Sequence, residues 1–182
     1  WELGLTMAAL PVLDLAHGGG DPVIGDRAFS SDPLAVAALG GATLDGLRHG
    51  GVLGVIKHLP GLGRGGCDSH VMRPVISAAA AALEEDADAP ASQSPCVIGE
   101  VIRGQIGFAG LLMSDDIAMG ALAGSLTERT RGVLAAGCDL ALHCSGVVAE
   151  SEAVAEAAGD LSEASRARLA AALAWPQPAP AD

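Results

Sequence analysis

The chain has 182 residues and a formal charge of −12, so it is long enough to bury one hydrophobic core and too acidic to favour binding to nucleic acid. Half of its residues are apolar but only 2% are aromatic, so Ala, Val, Leu and Ile must fill that core. The sequence contains neither a leader-like N-terminus nor an apolar run of the ~18 residues that cross a bilayer. We therefore expect a cytoplasmic protein with no membrane or nucleic-acid partner.

The first half of the chain alternates apolar runs with one helical stretch. Residues 7–15 predict a buried strand, and residues 32–50 predict a helix with Asp32 as its N-cap. Residues 51–58 predict a second buried strand. The segment 57–70, KHLPGLGRGGCDSH, follows as a polar loop whose glycines allow tight turns.

The second half continues in the same way. Residues 95–107 predict a helix because their Val and Ile residues recur at helical spacing, and residues 110–116 predict a third buried strand. A helix is expected over 126–136 and a fourth strand over 138–144. The alanine-rich residues 148–173 predict further helices.

Strands that alternate with helices are typical of a parallel α/β fold. In such folds, the side chains at the carboxyl ends of the strands build the functional site. The polar residues at these ends are Asp14, Lys57, His58, Asp115, Asp116, His143 and Cys144. The pattern therefore points to one site rather than to scattered surface residues.

The cysteines form no CxxC pair, which argues against a zinc site and against a disulfide framework. Buried or incidental thiols are the expected state of Cys67, Cys96, Cys138 and Cys144.

Asp115 ends an apolar strand, where a carboxylate can act as a nucleophile or as an electrostatic stabiliser. The alternative is that the Ser-Asp-Asp segment caps the helix that follows it. Asp115 and Asp116 point to opposite sides if the strand continues through them, so they are not expected to share one role.

Asp68 and His70 are two positions apart in the loop, a spacing that lets the carboxylate contact and orient the imidazole for proton transfer. The alternative is a solvated loop histidine. A metal site would need three or four ligands, and His58 could join these two residues. That spacing matches no zinc motif, so a metal-dependent hydrolase is the weaker reading.

Lys57 and His58 follow a buried strand and could bind sugar hydroxyls or a carbonyl group. Arg27 is a second candidate anchor, and its alternative role is an ion pair with Asp26 or Asp32. The loop glycines form neither a GxGxxG motif after a strand nor a Walker loop, so a nucleotide cofactor is not expected.

Four segments in order resemble the β-N-acetylhexosaminidases of glycoside hydrolase family three. They are PVLDL…VIGDRAF, VIKHLPGLGRGGCDSH, VIRGQIGFAGLLMSDDIAM and AAGCDLALHC, and the resemblance extends over residues 3–146. It implies a (β/α)₈ barrel that uses no metal or other cofactor. It also implies release of terminal N-acetylglucosamine from muropeptides in peptidoglycan recycling, with retention at the anomeric carbon.

The resemblance assigns roles to six residues. Asp115 matches the nucleophile that forms a glycosyl-enzyme intermediate, while His70 matches the acid/base residue with Asp68 as its partner. A retaining glycosidase needs this pair of functions, and a glycine-rich loop can bring the histidine to a bound sugar. The residues that match the sugar-binding positions are Arg27, Lys57 and His58.

The chain also departs from the family. A (β/α)₈ barrel takes ~250 residues, so we expect a partial barrel of about four βα units over residues 1–174, with 175–182 as a disordered tail. About the first three strands are missing, and another strand is missing after DSHVMRP. Leu62 replaces a histidine. Exposed sheet edges would favour self-association, and a non-catalytic sugar-binding module or a non-functional fragment is the alternative function.

Overall fold

The computed structural model of the chain describes residues 4–16, 24–62, 68, 70 and 89–174. They belong to two compact units, the first made of Trp1–Cys67 with Ala171–Asp182 and the second of Asp68–Ala170. The predicted tail at 175–182, Cys67 and most of the glycine-rich loop lie outside the described residues.

The first unit contains a strand–helix–strand motif. Strand β1 (Met7–Ala8) pairs in parallel with β2 (Leu53–Gly54), and helix α1 (Pro33–His49) connects them. The helix begins as predicted, because Oδ1 of Asp32 accepts a 2.9 Å hydrogen bond from the N–H of Leu34.

Regular strand pairing in this unit is shorter than predicted. The expected strands over 7–15 and 51–58 form two-residue ladders, followed by one isolated bridge between Val12 and Lys57. Pro11 explains the interruption, because it has no N–H to donate to a neighbouring strand.

Helix α1 packs closely on the strand segments through glycine. A Cβ atom on Gly40 would lie 2.7 Å from Cδ2 of Leu13, and one on Gly54 would overlap with Cδ2 of Leu44. Val36 of the same helix is buried. The first unit therefore depends on small residues at its helix–strand contact, as expected for a core poor in aromatic side chains.

The second unit contains a parallel pair of strands and most of the helices. Strand β3 (Met113–Asp116) pairs with β4 (Leu140–Leu142), with an irregular register between the two ends of the ladder. A helix of π type (Val97–Gln105) precedes them, and α2 (Leu126–Ala135) lies between them in sequence. Helices α3 (Val148–Ala158) and α4 (Glu163–Leu173) follow.

Asp139 connects distant parts of this unit. Its buried carboxylate accepts hydrogen bonds of 2.8 Å each from Arg103, the N–H of Leu112, Ser165 and Arg168. Burial alone would raise the pKa of Asp139, but the bonds from Leu112, Ser165 and Arg168 outweigh it and lower this pKa below its ordinary value of 3.8. One side chain thus fixes the π helix, the start of β3 and α4 to the segment before β4.

The predicted alternation of helices with parallel strands is confirmed, and the described residues form a mixed α/β structure with two small parallel sheets. Within the described ranges, no helix has both the length and the apolar composition that a membrane span requires.

Candidate active site

The predicted site residues fall into two groups. Those expected to bind sugar, Arg27, Lys57 and His58, are in the first unit, and those expected to catalyse, Asp68, His70 and Asp115, are in the second.

His58 is fixed by a buried aspartate in the first unit. Nδ1 of its ring lies 2.6 Å from Oδ2 of Asp14, whose side chain is fully buried, and its backbone N–H donates to the same oxygen at 3.2 Å. The N–H of Leu62 donates to the other oxygen. Burial alone would raise the pKa of Asp14, but these hydrogen bonds, the one from the His58 ring foremost, lower it below its ordinary value of 3.8. Asp14 therefore orients the ring of His58.

Lys57 and Arg27 present cationic side chains in the same unit. Lys57 is half-buried, and its ammonium group has no hydrogen-bond or ion-pair partner in the described part of the chain. Arg27 ends a short 3₁₀ turn (Gly25–Arg27), is exposed, and donates from Nε to the carbonyl of Ile24 at 3.3 Å. Lys57 therefore leaves a cationic donor for a polar ligand, and Arg27 places a second positive charge at the surface.

Asp68 and His70 make the contact that their spacing allows. Oδ1 of Asp68 accepts from Nδ1 of the His70 ring at 2.7 Å and from the His70 backbone N–H at 2.8 Å. The His70 side chain is 65% exposed, and its other nitrogen, Nε2, has no hydrogen-bond partner in the described part of the chain. Because the bond at Nδ1 fixes the ring, Nε2 is the nitrogen available for proton transfer.

The main chain at His70 is attached to the segment that follows β3. The carbonyl of His70 accepts a 3.2 Å hydrogen bond from the N–H of Gly120. Asp115 lies in β3 itself, so the second unit joins the backbone of the histidine to the turn just beyond the predicted nucleophile.

Asp115 is an exposed carboxylate near the carboxyl end of β3, between the buried Ser114 and the half-buried Asp116. Its Oδ1 accepts from the backbone N–H of Asp116 at 2.9 Å. Its Oδ2 has no hydrogen-bond partner among the residues that the structure describes. This oxygen is therefore free to act as a nucleophile.

The alternative in which the Ser-Asp-Asp segment caps a helix is wrong. The next helix, α2, begins at Leu126, and its N-cap is Ser125, which forms a capping box with Glu128. Asp116 instead closes a turn, because its Oδ1 accepts from the N–H of Ala118 at 2.9 Å.

A further histidine lies beside this strand end. The N–H of Cys144 donates to Oδ1 of Asp116 at 3.2 Å, and Nδ1 of His143 lies 3.9 Å from the same oxygen. On the other side of the ring, Nε2 of His143 lies 2.8 Å from Oγ of Ser145 and 3.1 Å from Oε2 of Glu150. His143 and Asp116 end predicted strands, but their spacing of 27 residues gave no local signal that they would be neighbours.

The geometry of the described residues does not support a metal-dependent hydrolase. His58 belongs to the first unit, whereas Asp68 and His70 belong to the second. In the described ranges, no three His, Cys, Asp or Glu side chains are grouped so that they could bind a metal ion.

The chain matches the family model described as the Glycosyl hydrolase family 3 N terminal domain over residues 1–88 and again over 82–174. The match breaks at 82–88, in the part of the chain where the internal gap is expected.

Curated relatives agree with this match. The chain is 37% identical to a beta-hexosaminidase of Thiobacillus denitrificans, with 97% of this chain and 57% of the relative covered. It is 35% identical to one of Nitrosospira multiformis, with 96% and 58% covered. The chain thus spans somewhat more than half the length of these relatives. The first alignment extends over 206 residues, more than the 182 of this chain, so the relative carries residues that this chain lacks.

Solved structures are similar as well. A glycoside hydrolase family 3 beta-N-acetylglucosaminidase from Paenibacillus has a TM-score of 0.82 at 28% identity, with 93% of this chain and 40% of that chain covered. Native NagZ from Neisseria gonorrhoeae has a TM-score of 0.76 at 30% identity, with 91% and 55% covered. The expected family is confirmed: the chain belongs to glycosyl hydrolase family 3.

Proposed function

We propose that this chain is a retaining β-N-acetylhexosaminidase that releases terminal N-acetylglucosamine from muropeptides derived from peptidoglycan. The relatives' names and family membership support the hydrolase class. The observation that carries the proposal is the hydrogen bond between Asp68 and His70, because it prepares an exposed histidine for proton transfer.

In the first step, a carboxylate oxygen of Asp115 attacks the anomeric carbon. His70 donates the proton on Nε2 to the departing oxygen, and a covalent glycosyl-enzyme forms. In the second step, Nε2 of His70 takes a proton from water. The water oxygen then attacks the anomeric carbon and displaces the carboxylate of Asp115, which restores the enzyme with net retention. Asp68 keeps the ring oriented through both steps.

The roles proposed for the first unit concern substrate binding. Arg27 and Lys57 supply cationic donors for sugar hydroxyls or for the substituent carbonyl, and His58 supplies a ring fixed by Asp14. We further propose that residues 1–174 form a partial (β/α)₈ barrel domain of the family, which the TM-scores support. The cytoplasmic location remains a prediction.

The test is hydrolysis of an aryl N-acetylglucosaminide by the purified chain. We expect turnover that Asp115→Ala abolishes and His70→Ala strongly reduces, because each loses a group that takes part in bond making. Asp45→Ala and His49→Ala, on the exposed end of α1, are matched controls that keep the wild-type rate. Folded wild-type protein without turnover would refute the proposal.

The alternative function is a sugar-binding module without catalysis. It is favoured by the residues that the first relative carries within the alignment and this chain lacks, since that alignment extends over 206 residues. Binding of N-acetylglucosamine by folded wild-type protein that hydrolyses no substrate would favour this alternative. In that case Lys57→Ala should weaken binding and Asp115→Ala should not.

A further inference from the structure

His143 is a buried histidine whose two ring nitrogens have different surroundings. Its side chain is only 4% exposed. Nε2 lies within hydrogen-bond distance of Ser145 and Glu150, whereas Nδ1 has no hydrogen bond in the described part of the chain. Oδ1 of the Asp116 carboxylate lies 3.9 Å from Nδ1. A buried ring nitrogen without a partner calls for an explanation.

Asp116 connects this ring to the proposed nucleophile. Its Oδ1 accepts from the N–H groups of Ala118 and Cys144, so the carboxylate is fixed between the turn after β3 and the end of β4. Its own N–H donates to Oδ1 of Asp115 at 2.9 Å. Any shift of Asp116 therefore moves a donor that sets the direction of the Asp115 carboxylate.

The contacts at Nε2 fix the ring of His143. Oγ of Ser145 lies 2.6 Å from Oε2 of Glu150, which is the stronger acceptor for its single proton. With the serine proton on Glu150, Nε2 of His143 must itself donate. Ser145 and Glu150 thus hold the ring at Nε2, and its Nδ1 edge lies 3.9 Å from the Asp116 carboxylate on the opposite side.

We propose that His143 is a positioning residue for Asp115. Its buried ring, held at Nε2, packs beside the Asp116 carboxylate and limits its movement, and the backbone N–H of Asp116 sets the direction of Asp115. The proposal rests on the proposed function for the role of Asp115, although the effect on Asp116 stands without it.

A second use of these residues, a Ser145–His143–Asp116 hydrolytic triad, is not supported. Nδ1 and Asp116 are too far apart at 3.9 Å for the hydrogen bond that orients such a histidine. Ser145 is also engaged by Glu150 and accepts from the N–H of Val147 at 3.1 Å.

Two amide substitutions distinguish the contribution of Nδ1 from that of Nε2. In His143→Gln, the amide of the longer side chain takes the position of Nε2, and no polar atom remains at the position of Nδ1 beside Asp116. In His143→Asn, the amide of the shorter side chain takes the position of Nδ1. We expect His143→Gln to lower kcat about tenfold or more with little change in KM, because the nucleophile is misplaced rather than the sugar. His143→Asn should keep most of the rate, and His49→Gln on α1 is the control.

A readout without turnover tests the same proposal. Hydrogen exchange at the Asp116 and Cys144 amides, followed by NMR, should accelerate severalfold in His143→Gln and stay near wild type in His143→Asn. The amide of Val133, buried in α2, should not change in either variant. If the wild type hydrolyses nothing, the proposed function fails while this measurement still decides the role of His143.

Asp116→Asn provides a second route if a histidine variant does not fold. It removes the charge that His143 faces and keeps an oxygen acceptor for Ala118 and Cys144. We expect the double variant with His143→Gln to lose no more rate or amide protection than the more impaired single variant. Unchanged Asp116 and Cys144 amides in His143→Gln, or fully additive effects, would overturn the proposal.

Discussion

Asp14 and His58 are 44 positions apart, yet Oδ2 of the aspartate lies 2.6 Å from Nδ1 of the histidine. The side chain of Asp14 is fully buried, and the pKa of its carboxyl is lowered by the bonds it accepts. The pair joins the segment after β1 to the segment after β2, so it supports the fold and the proposed sugar-binding ring together.

Asp14→Asn should destabilise the protein by about 1–3 kcal/mol, because the amide replaces one acceptor oxygen with a donor that faces N–H groups. Since His58 loses its orientation, KM should rise more than kcat falls. Urea unfolding and steady-state kinetics measure these effects. Asp26→Asn, on the exposed 3₁₀ turn, is the control and should change neither quantity. Wild-type stability and KM in Asp14→Asn would contradict the role given to Asp14.

The stereochemistry of the released sugar tests the double displacement by Asp115 and His70. Two inversions give a β-anomer as the first product, and mutarotation then produces the α-anomer. Proton NMR in the first minutes of the reaction should therefore show the β signal first. An α signal that appears first would mean a single displacement by water and would remove the nucleophilic role of Asp115.

Asp139 should make the protein acid-sensitive. Its folded-state pKa lies below the ordinary value of 3.8, so its contribution to stability is present above that pH and is lost as the pH falls through the folded pKa. Asp139→Asn should cost about 3–5 kcal/mol, because two arginines lose their buried partner. The free energy of unfolding should also fall less steeply below pH 4 in this variant than in wild type. Asp160→Asn, on an exposed turn, should keep the wild-type profile.

The thiols should differ in reactivity. Burial, with the negative charge of Asp139, raises the pKa of Cys138 to about 11, so it should resist iodoacetamide at pH 8 until the protein unfolds. Cys144 is exposed, and the pKa of its thiol is raised by partial burial and by Asp116 and Asp115. Alkylation of Cys144 should therefore be faster in Asp116→Asn than in wild type.

Peptide mapping by mass spectrometry after timed alkylation measures both thiols at once. Glu163→Gln, at the exposed start of α4, is the matched charge removal and should leave the Cys144 rate unchanged. Rapid labelling of Cys138 in folded protein would contradict the expected protection of this thiol. Equal alkylation rates of Cys144 in wild type and in Asp116→Asn would contradict the expected effect of the Asp116 charge.

Local sequence signals predicted the helices better than the strands. Helix α1 begins where Asp32 and Pro33 placed it, because an N-cap and a proline at the first helical position act over one turn. The apolar runs marked burial correctly in part, since Val12 and Leu112 are buried. They overstated strand length, because hydrogen-bond pairing depends on a neighbour and on interruptions such as Pro11.

In the candidate site, contacts between residues close in sequence could be predicted, and contacts between distant segments could not. The contact between Asp68 and His70 could be predicted, because two positions of separation bring their side chains within reach. The partners of His143 and Asp139 could not, since each set comes from segments far apart in the sequence. Such long-range polar contacts leave no periodic or spacing signal in a single sequence.

The bond between the His70 carbonyl and the Gly120 N–H involves main-chain atoms only. Every amino acid at position 70 carries that same carbonyl, so a replacement there removes the imidazole while leaving the peptide anchor chemically intact. Position 70 is therefore suited to substitution with designed or unnatural bases of graded acidity. A linear relation between their acidity and the hydrolysis rate would then report the degree of proton transfer in the transition state.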